Sequence, residues 1–248
     1  MTKFDNSISI IMPAYNEAKG IYGAYESTKR SIQKAGIGDY EILITTNISP
    51  SGTHDGTPDV VDKIAKNDSH VKHIFHNKYA GLGFKYRDAL NKAQKKYAMM
   101  VPGDNDTIES SLVNILKNVG KFPAIVVYTS NSKARPFYIR AVSRSFVFLC
   151  NLLFGLRMKY YNGMCVFPIE LLKIVPTTAN NPAYMAETLI YLLKSGLKYT
   201  EMPQEIKYTP LPGKTFRLKS VWDVLITLTL LFWKINIKRV RLDISKWI

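Results

Sequence analysis

Asp104 and Asp106 flank Asn105 on a turn that follows an apolar strand-like run at 97–101 and the pair Pro102-Gly103. A helical pattern resumes at Ile108. Hard divalent cations take oxygen ligands, and Mg²⁺ commonly keeps one or two protein carboxylates while substrate phosphates and water complete its shell. Two carboxylates two residues apart at a strand's C-terminal end meet that need, because ligands of open α/β sheets bind at that edge. Asp also favours turns by bonding its own backbone. The triplet therefore takes its meaning from the elements that hold it.

The first half of the 248-residue chain supplies those elements. Strand-like runs at 7–12, 40–46, 71–75, 97–101 and 123–129 alternate with helical patterns ending near 35 and covering 59–66, 84–96 and 108–119. Pro58 suits the first position of its helix. The run at 40–46 is almost continuously apolar, as in a parallel strand buried on both faces. Alternating strands and helices of this length predict βαβ units with right-handed crossovers. The expected fold is α/β, a mostly parallel, Rossmann-like central sheet flanked by helices.

The second half is less regular. Helices are predicted at 141–156, 168–175 and 183–195, with a short strand at 164–167 and a strand at 197–208 broken by Pro203. A Pro/Gly loop with two basic residues covers 209–217, and an apolar helix covers 218–233. No internal repeat, low-complexity tract or linker divides the chain. The reading is one domain, 1–217, with a basic amphipathic C-terminal helix and tail, 218–248.

Hydrophobic residues make up 46% of the chain, enough for a substantial core. Cys150 and Cys165 sit in apolar surroundings without metal-ligand spacing, which reads as a reduced compartment. The polar residues 1–6 lead straight into a strand and show no signal-peptide pattern. The net charge of +15 is concentrated. Residues 131–161 carry six Lys/Arg and no acid, and residues 207–248 carry nine against two acids. Such placement implies an anionic partner: nucleic acid, an anionic membrane or a phosphorylated substrate. No recognised nucleic-acid motif or aromatic platform is present, so no nucleic-acid partner is expected. His54, His70, His73 and His76 have no catalytic spacing.

Four motifs in order resemble glycosyltransferase family 2, the inverting nucleotide-sugar transferases of GT-A fold. Ile10-Ile11-Met12-Pro13-Ala14-Tyr15-Asn16-Glu17 resembles the family's first strand, and Asp55-Gly56-Thr57 the end of its D-D-G-S-x-D-G-T loop. Residues 77–83 resemble its N-x-G-x-G loop, and Asp104-Asn105-Asp106 its D-x-D. Arg140 to Ser143, Asn162-Gly163, Glu187, Glu201-Met202-Pro203 and Gly213-Lys214-Thr215 are similar to the dolichol-phosphate mannosyltransferase, or polyprenyl-phosphate, branch. Two positions depart from the pattern. Thr46-Asn47 stands where the family usually has an Asp pair, one of which reads the base, and Tyr160 stands where the lipid-phosphate branch often has Asp. The Gln-x-x-Arg-Trp of processive synthases is absent.

The resemblance implies a metal-dependent enzyme that displaces a nucleoside diphosphate from a sugar's anomeric carbon. A divalent ion, Mg²⁺ or Mn²⁺, would stabilise the charge on the leaving group. Asp106 is expected at the metal, Asp104 at the metal or ribose, and Glu187 near the donor sugar. Pro13, Tyr15, Asn16 and Glu17 sit where a strand opens into a helix, where backbone N–H groups suit a nucleotide; Asn16-Glu17 also reads as a helix cap. Asn47, Asp55, Gly83, Lys85, Asp104 and Asn105 complete the expected GDP- or UDP-sugar site. Asp55 reads equally as an Asx-turn, Gly83 as a simple turn and Lys85 as a solvated charge. Arg135, Arg140, Lys214 and Arg217 are the candidates for an acceptor phosphate, because guanidinium forks match phosphate.

A spanning helix needs about 20 apolar residues. The run 221–233 is shorter, contains Asp223 and has Trp at both ends with basic flanks, which predicts an interfacial membrane-associating helix held by Lys234, Lys238, Arg239 and Arg241. A helix packed on the sheet is the alternative. The expected place is the cytoplasmic face of a membrane, peripheral, with room for a membrane partner subunit. The acceptor is read as a polyprenyl or dolichyl phosphate, the alternatives being a glycan acceptor or a non-catalytic transferase-like scaffold.

Overall fold

The computed structural model describes residues 6–207 and 218–247, with the backbone alone described at 218–221. Lys214 and Arg217 lie outside the described residues. Seven strands form one mixed sheet: β1 (Ile8–Pro13), β2 (Tyr40–Asn47), β3 (Val71–His76), β4 (Tyr97–Met100), β5 (Ile125–Thr129), β6 (Val166–Pro168) and β7 (Thr200–Gln204). Their order is β3-β2-β1-β4-β6-β5-β7. The first four strands are mutually parallel, with Ile10 facing Ile42 on one side and Met99 on the other. β6 runs antiparallel to both β4 and β5, and β7 returns parallel to β5.

Helices cover both faces, which is why every residue of β1 and β2 is buried. Successive β1 residues alternate between two cores. Ile10 and Met12 pack with α1 (Ile21–Lys34), α2 (Thr57–Asn67) and α4 (Glu109–Leu116). Ile11 packs with α3 (Leu82–Lys92), α5 (Phe137–Phe154), α6 (Ile169–Lys173), α7 (Tyr184–Lys194) and α8 (Leu218–Phe232). A fully buried Leu or Ile stabilises by about 1.5–3 kcal/mol, so two such faces give the sheet its rigidity.

The structure revises several boundaries. α1 begins at Ile21, and the residues before it form the turn that the site uses. α3 stops at Lys92 because Ala93 turns extended (φ −69, ψ 136). α5 starts at Phe137, just after Pro136. Pro203 does not break its strand: β7 is an edge strand, where a missing N–H costs nothing on the open side. The C-terminal segment shares the main core, with Leu228, Leu231, Ile235 and Ile244 all buried in it. Phe232 packs on Phe154, and Asn236 donates to the Leu153 carbonyl at 2.8 Å.

Candidate active site

The C-terminal ends of β1, β2 and β4 meet at one edge. Ala14 N donates to Thr45 O at 2.8 Å, and Gly103 N to Pro13 O at 3.2 Å, so the loop after β1 lies between the other two. Asn16 (φ 57) and Asn105 (φ 59) both occupy the left-handed region, which Asn tolerates better than other side chains. Those two residues let the chain reverse tightly at the edge. Asp104 Oδ1 accepts from Asp106 N at 3.2 Å. Asp106 O accepts from Lys207 N at 2.7 Å, and Thr107 bridges Ile206, which ties the turn to the chain leaving β7. Gly20, at the N-terminus of α1, lies against the Asp104 carbonyl. The positive end of that helix therefore faces the D-x-D turn. The Asn105 side chain turns the other way and packs over Gly23 of α1, where an added Cβ would lie 2.7 Å from its Nδ2.

Asp55 locks two loops together. Its Oδ2 accepts from Ala18 N at 3.1 Å, and its Oδ1 accepts from Thr57 N at 3.0 Å and Thr57 Oγ1 at 2.5 Å. Glu17 N donates in turn to Thr57 Oγ1 at 2.8 Å. Burial pushes the Asp55 carboxyl up, but these hydrogen bonds outweigh it and hold the group below its usual range. The Asx-turn reading is thus what the geometry displays. Asn47 ends β2, buried, with Nδ2 donating to Ile48 O at 2.7 Å. Its Oδ1 and the Thr45 hydroxyl have no hydrogen-bond partner among the described residues.

Lys85 is not a solvated charge. It is 4% exposed, reaches under the edge from α3 and donates to the Ala14 carbonyl at 3.1 Å. Its Nζ stands 5.8 Å from the centre of the Tyr15 ring, and Tyr15 meets Tyr79 edge to face at 5.7 Å. Burial lowers the ammonium to about 8 against the opposing pull of Glu17.

On the side where a side chain would stand, Gly81 and Gly83 both meet protein. A Cβ on Gly83 would lie 2.1 Å from Ala179 O, and one on Gly81 2.3 Å from Asn180 O. The approaching loop is held by Glu187, whose buried carboxylate accepts from Thr178 N at 2.9 Å, Ala179 N at 2.8 Å and Thr178 Oγ1 at 3.2 Å. Arg87, which the sequence did not single out, clamps the same loop through Ala179 O at 2.7 Å and Asn180 Oδ1 at 2.5 Å. Glu187 therefore fixes the loop that packs on Gly81 and Gly83.

A second cavity of about 350 Å³ opens where β5 ends, lined by Thr129, Arg135, Arg140, Arg144, Phe148 and Lys159 among others. Arg135 donates to the Tyr160 hydroxyl at 3.3 Å, so Tyr160 helps to position that guanidinium. The buried Arg140 Nε has no hydrogen-bond partner among the described residues. Lys159 pairs with Glu201 at 3.1 Å and lies 4.4 Å from the Tyr128 ring centre. Asn131, between the lining residues Thr129 and Ser132, bonds both the N–H and the carbonyl of Ile206, which in turn bridges Thr107 beside the D-x-D turn. Arg144 and Lys159 were missed in the sequence. Arg144 stands four residues after Arg140 on one helix, a spacing that puts both on one face and could have revealed it.

Among the described residues no three His, Cys, Asp or Glu converge on one point. Asp104 and Asp106 remain as a carboxylate pair of the kind that Mg²⁺ accepts beside substrate phosphates. No curated protein matches the chain. Among solved structures it is similar to mannosyl-3-phosphoglycerate synthase from Rubrobacter xylanophilus, with TM-score 0.67 and 14% identity over 96% of this chain and 76% of that one. It is also similar to glucosyl-3-phosphoglycerate synthase from Mycobacterium tuberculosis in complex with Mn²⁺, UDP-glucose and phosphoglyceric acid, with TM-score 0.63 and 17% identity over 91% and 79%. The same enzyme with Mg²⁺ and UDP gives TM-score 0.62 at 16% identity over 91% and 79%. At these identities the likeness establishes the fold. The family assignment comes from the sequence itself: the profile of glycosyl transferase family 2 matches residues 9–168, more than half of the chain, and the protein belongs to that family of nucleotide-sugar glycosyltransferases.

Proposed function

We propose that this chain transfers one sugar from a nucleotide donor, with inversion, to the phosphate of a polyprenyl-type lipid. The observation that carries the acceptor is the cavity in which Arg135, Arg140, Arg144 and Lys159 gather beside the exposed apolar Phe148. A phosphate monoester is largely a dianion near neutral pH, its second pKa being about 6, so it attacks without a strong general base. What it needs is cations to hold it, and Arg forks supply them. A phosphate oxygen forms the new bond to the anomeric carbon as the bond to the nucleoside diphosphate breaks, and the leaving group takes the electron pair.

Asp104 and Asp106 would hold Mg²⁺ or Mn²⁺, which when bound neutralises charge on the departing diphosphate. The donor set fits, since both carboxylates stand on one turn beside the N-terminus of α1. A UDP-sugar donor is favoured by the mycobacterial relative bound to UDP-glucose. That relative also carries phosphoglyceric acid, which supports a second reading with a small phosphorylated acid as acceptor. A neutral glycan makes no use of the three guanidinium groups that line the cavity.

Steady-state kinetics with polyprenyl phosphate and with 3-phosphoglycerate separate the readings. Arg140→Ala and Arg144→Ala should each raise the acceptor KM about tenfold or more and leave the donor KM in place. An unchanged acceptor KM in both variants would remove the cavity from the acceptor site.

A further inference from the structure

The acceptor cavity is lined in part by α5, and no described residue covers the outer face of α5 or of its neighbour α8. α5 is long and apolar enough to cross a bilayer by length and composition, yet only 11% of it is buried. Its outer stripe is Tyr138, Ala141, Ser145, Phe148 and Leu152, at helical spacing, with Phe148 68% and Leu152 67% exposed. α8 and the turn after it carry a second stripe, Trp222, Ile226, Leu230, Trp233 and Ile237, each more than half exposed. The inner faces are fixed. Phe154 and Phe232 pack together, and Asn181 holds α8 through Asp223 O and Thr227 Oγ1. The two helices therefore meet at their C-terminal ends, and α8 is tied to the body along its first turns.

Charge selects the occupant. α5 carries Arg140 and Arg144 and no acid, with Arg157 and Lys159 beyond its end. Lys234, Lys238, Arg239 and Arg241 follow the second stripe, against Asp223 within it. Apolar stripes flanked by Trp and by Lys/Arg match the interfacial zone of an anionic leaflet, where such helices lie in plane with their apolar sides about 5–10 Å deep. A second copy of so basic a face would meet like charge.

We propose that α5 and α8 together form a docking face for an anionic lipid bilayer, which brings the cation cavity to the membrane surface. This deepens the reading of a lipid-borne phosphate acceptor and rests on it for its purpose. The test is co-sedimentation of the full chain with phosphatidylcholine vesicles, with and without phosphatidylglycerol, and with no acceptor present. The chain should pellet with the anionic vesicles, and Tyr138→Ser/Leu152→Ser or Trp222→Ser/Trp233→Ser should lower partitioning about tenfold or more. Both variants change exposed side chains, and both should keep wild-type transfer to a short, water-soluble prenyl phosphate. Wild type remaining in the supernatant, or variants pelleting as well as wild type, would overturn the docking face. So would a wild-type dimer that the variants dissociate, which would give the face to a second copy. Loss of transfer to the soluble acceptor in the wild type would instead strike the acceptor reading.

Discussion

Lys85 shows most clearly how a residue's surroundings change what its letter implies. In sequence it is one of many lysines, and only the fold shows that it lies buried under the Ala14 carbonyl. Its ammonium falls from 10.5 in the unfolded chain to about 8 in the folded one. Between those values the unfolded chain binds the extra proton, so this group makes stability rise with pH across that window, and its penalty is complete below about 8. Lys85→Met should therefore be more stable than wild type at pH 7 by up to about 3 kcal/mol, less about 1 kcal/mol for the lost hydrogen bond. The gap should close as pH approaches 10.5. Urea unfolding of both proteins at several pH values checks this, and a gap that stays constant would show that burial of the charge is not its source. Asp55 and Asn105 carry the same lesson, since a short polar side chain in a loop serves the loop as readily as a ligand. Their types named the loops correctly, but their side chains are engaged with protein, Asp55 with Ala18 and Thr57 and Asn105 with Gly23 of α1.

At the scale of elements, the loop between α6 and α7 is what sequence reading could not see. Nothing in residues 177–181 announces that their carbonyls press on Gly81 and Gly83, because the contact joins segments about a hundred residues apart. Glu187 holds that loop by accepting two buried backbone N–H groups. Glu187→Ala strands both donors and should cost about 2–5 kcal/mol of stability, with Glu187→Gln costing less because an acceptor remains. Chemical denaturation measures both. Full stability in Glu187→Ala combined with lost turnover would put Glu187 in direct contact with the donor instead. Where periodicity governed, the elements were legible: the parallel strands of the first half fall within a residue or two of their expected ends. It failed where context governed, as at Pro203, which is tolerated because β7 happens to be an edge.

Across the whole molecule, three separate features meet at one end of the sheet: the D-x-D turn, the cation cavity and the apolar faces of α5 and α8. The order of the motifs made the α/β fold and the donor edge readable, since each motif sits at the end of a strand. On the acceptor side Arg135 and Arg140 were named from the sequence, whereas Lys159, from a separate loop, joins them and Arg144 only in the fold. The C-terminal helix, read as an appendage, joins the main core through Leu228 and Leu231, while Ile226 and Leu230 on its other side face solvent. The most direct test of the account is label transfer from a panel of UDP- and GDP-sugars to vesicle-borne polyprenyl phosphate with Mn²⁺, for wild type and Asp106→Ala. The account expects one donor to label the lipid in a metal-dependent way, with Asp106→Ala folded and at least about 100-fold slower. Equal transfer by Asp106→Ala, or a wild type that labels no phosphorylated acceptor with any donor, would contradict it.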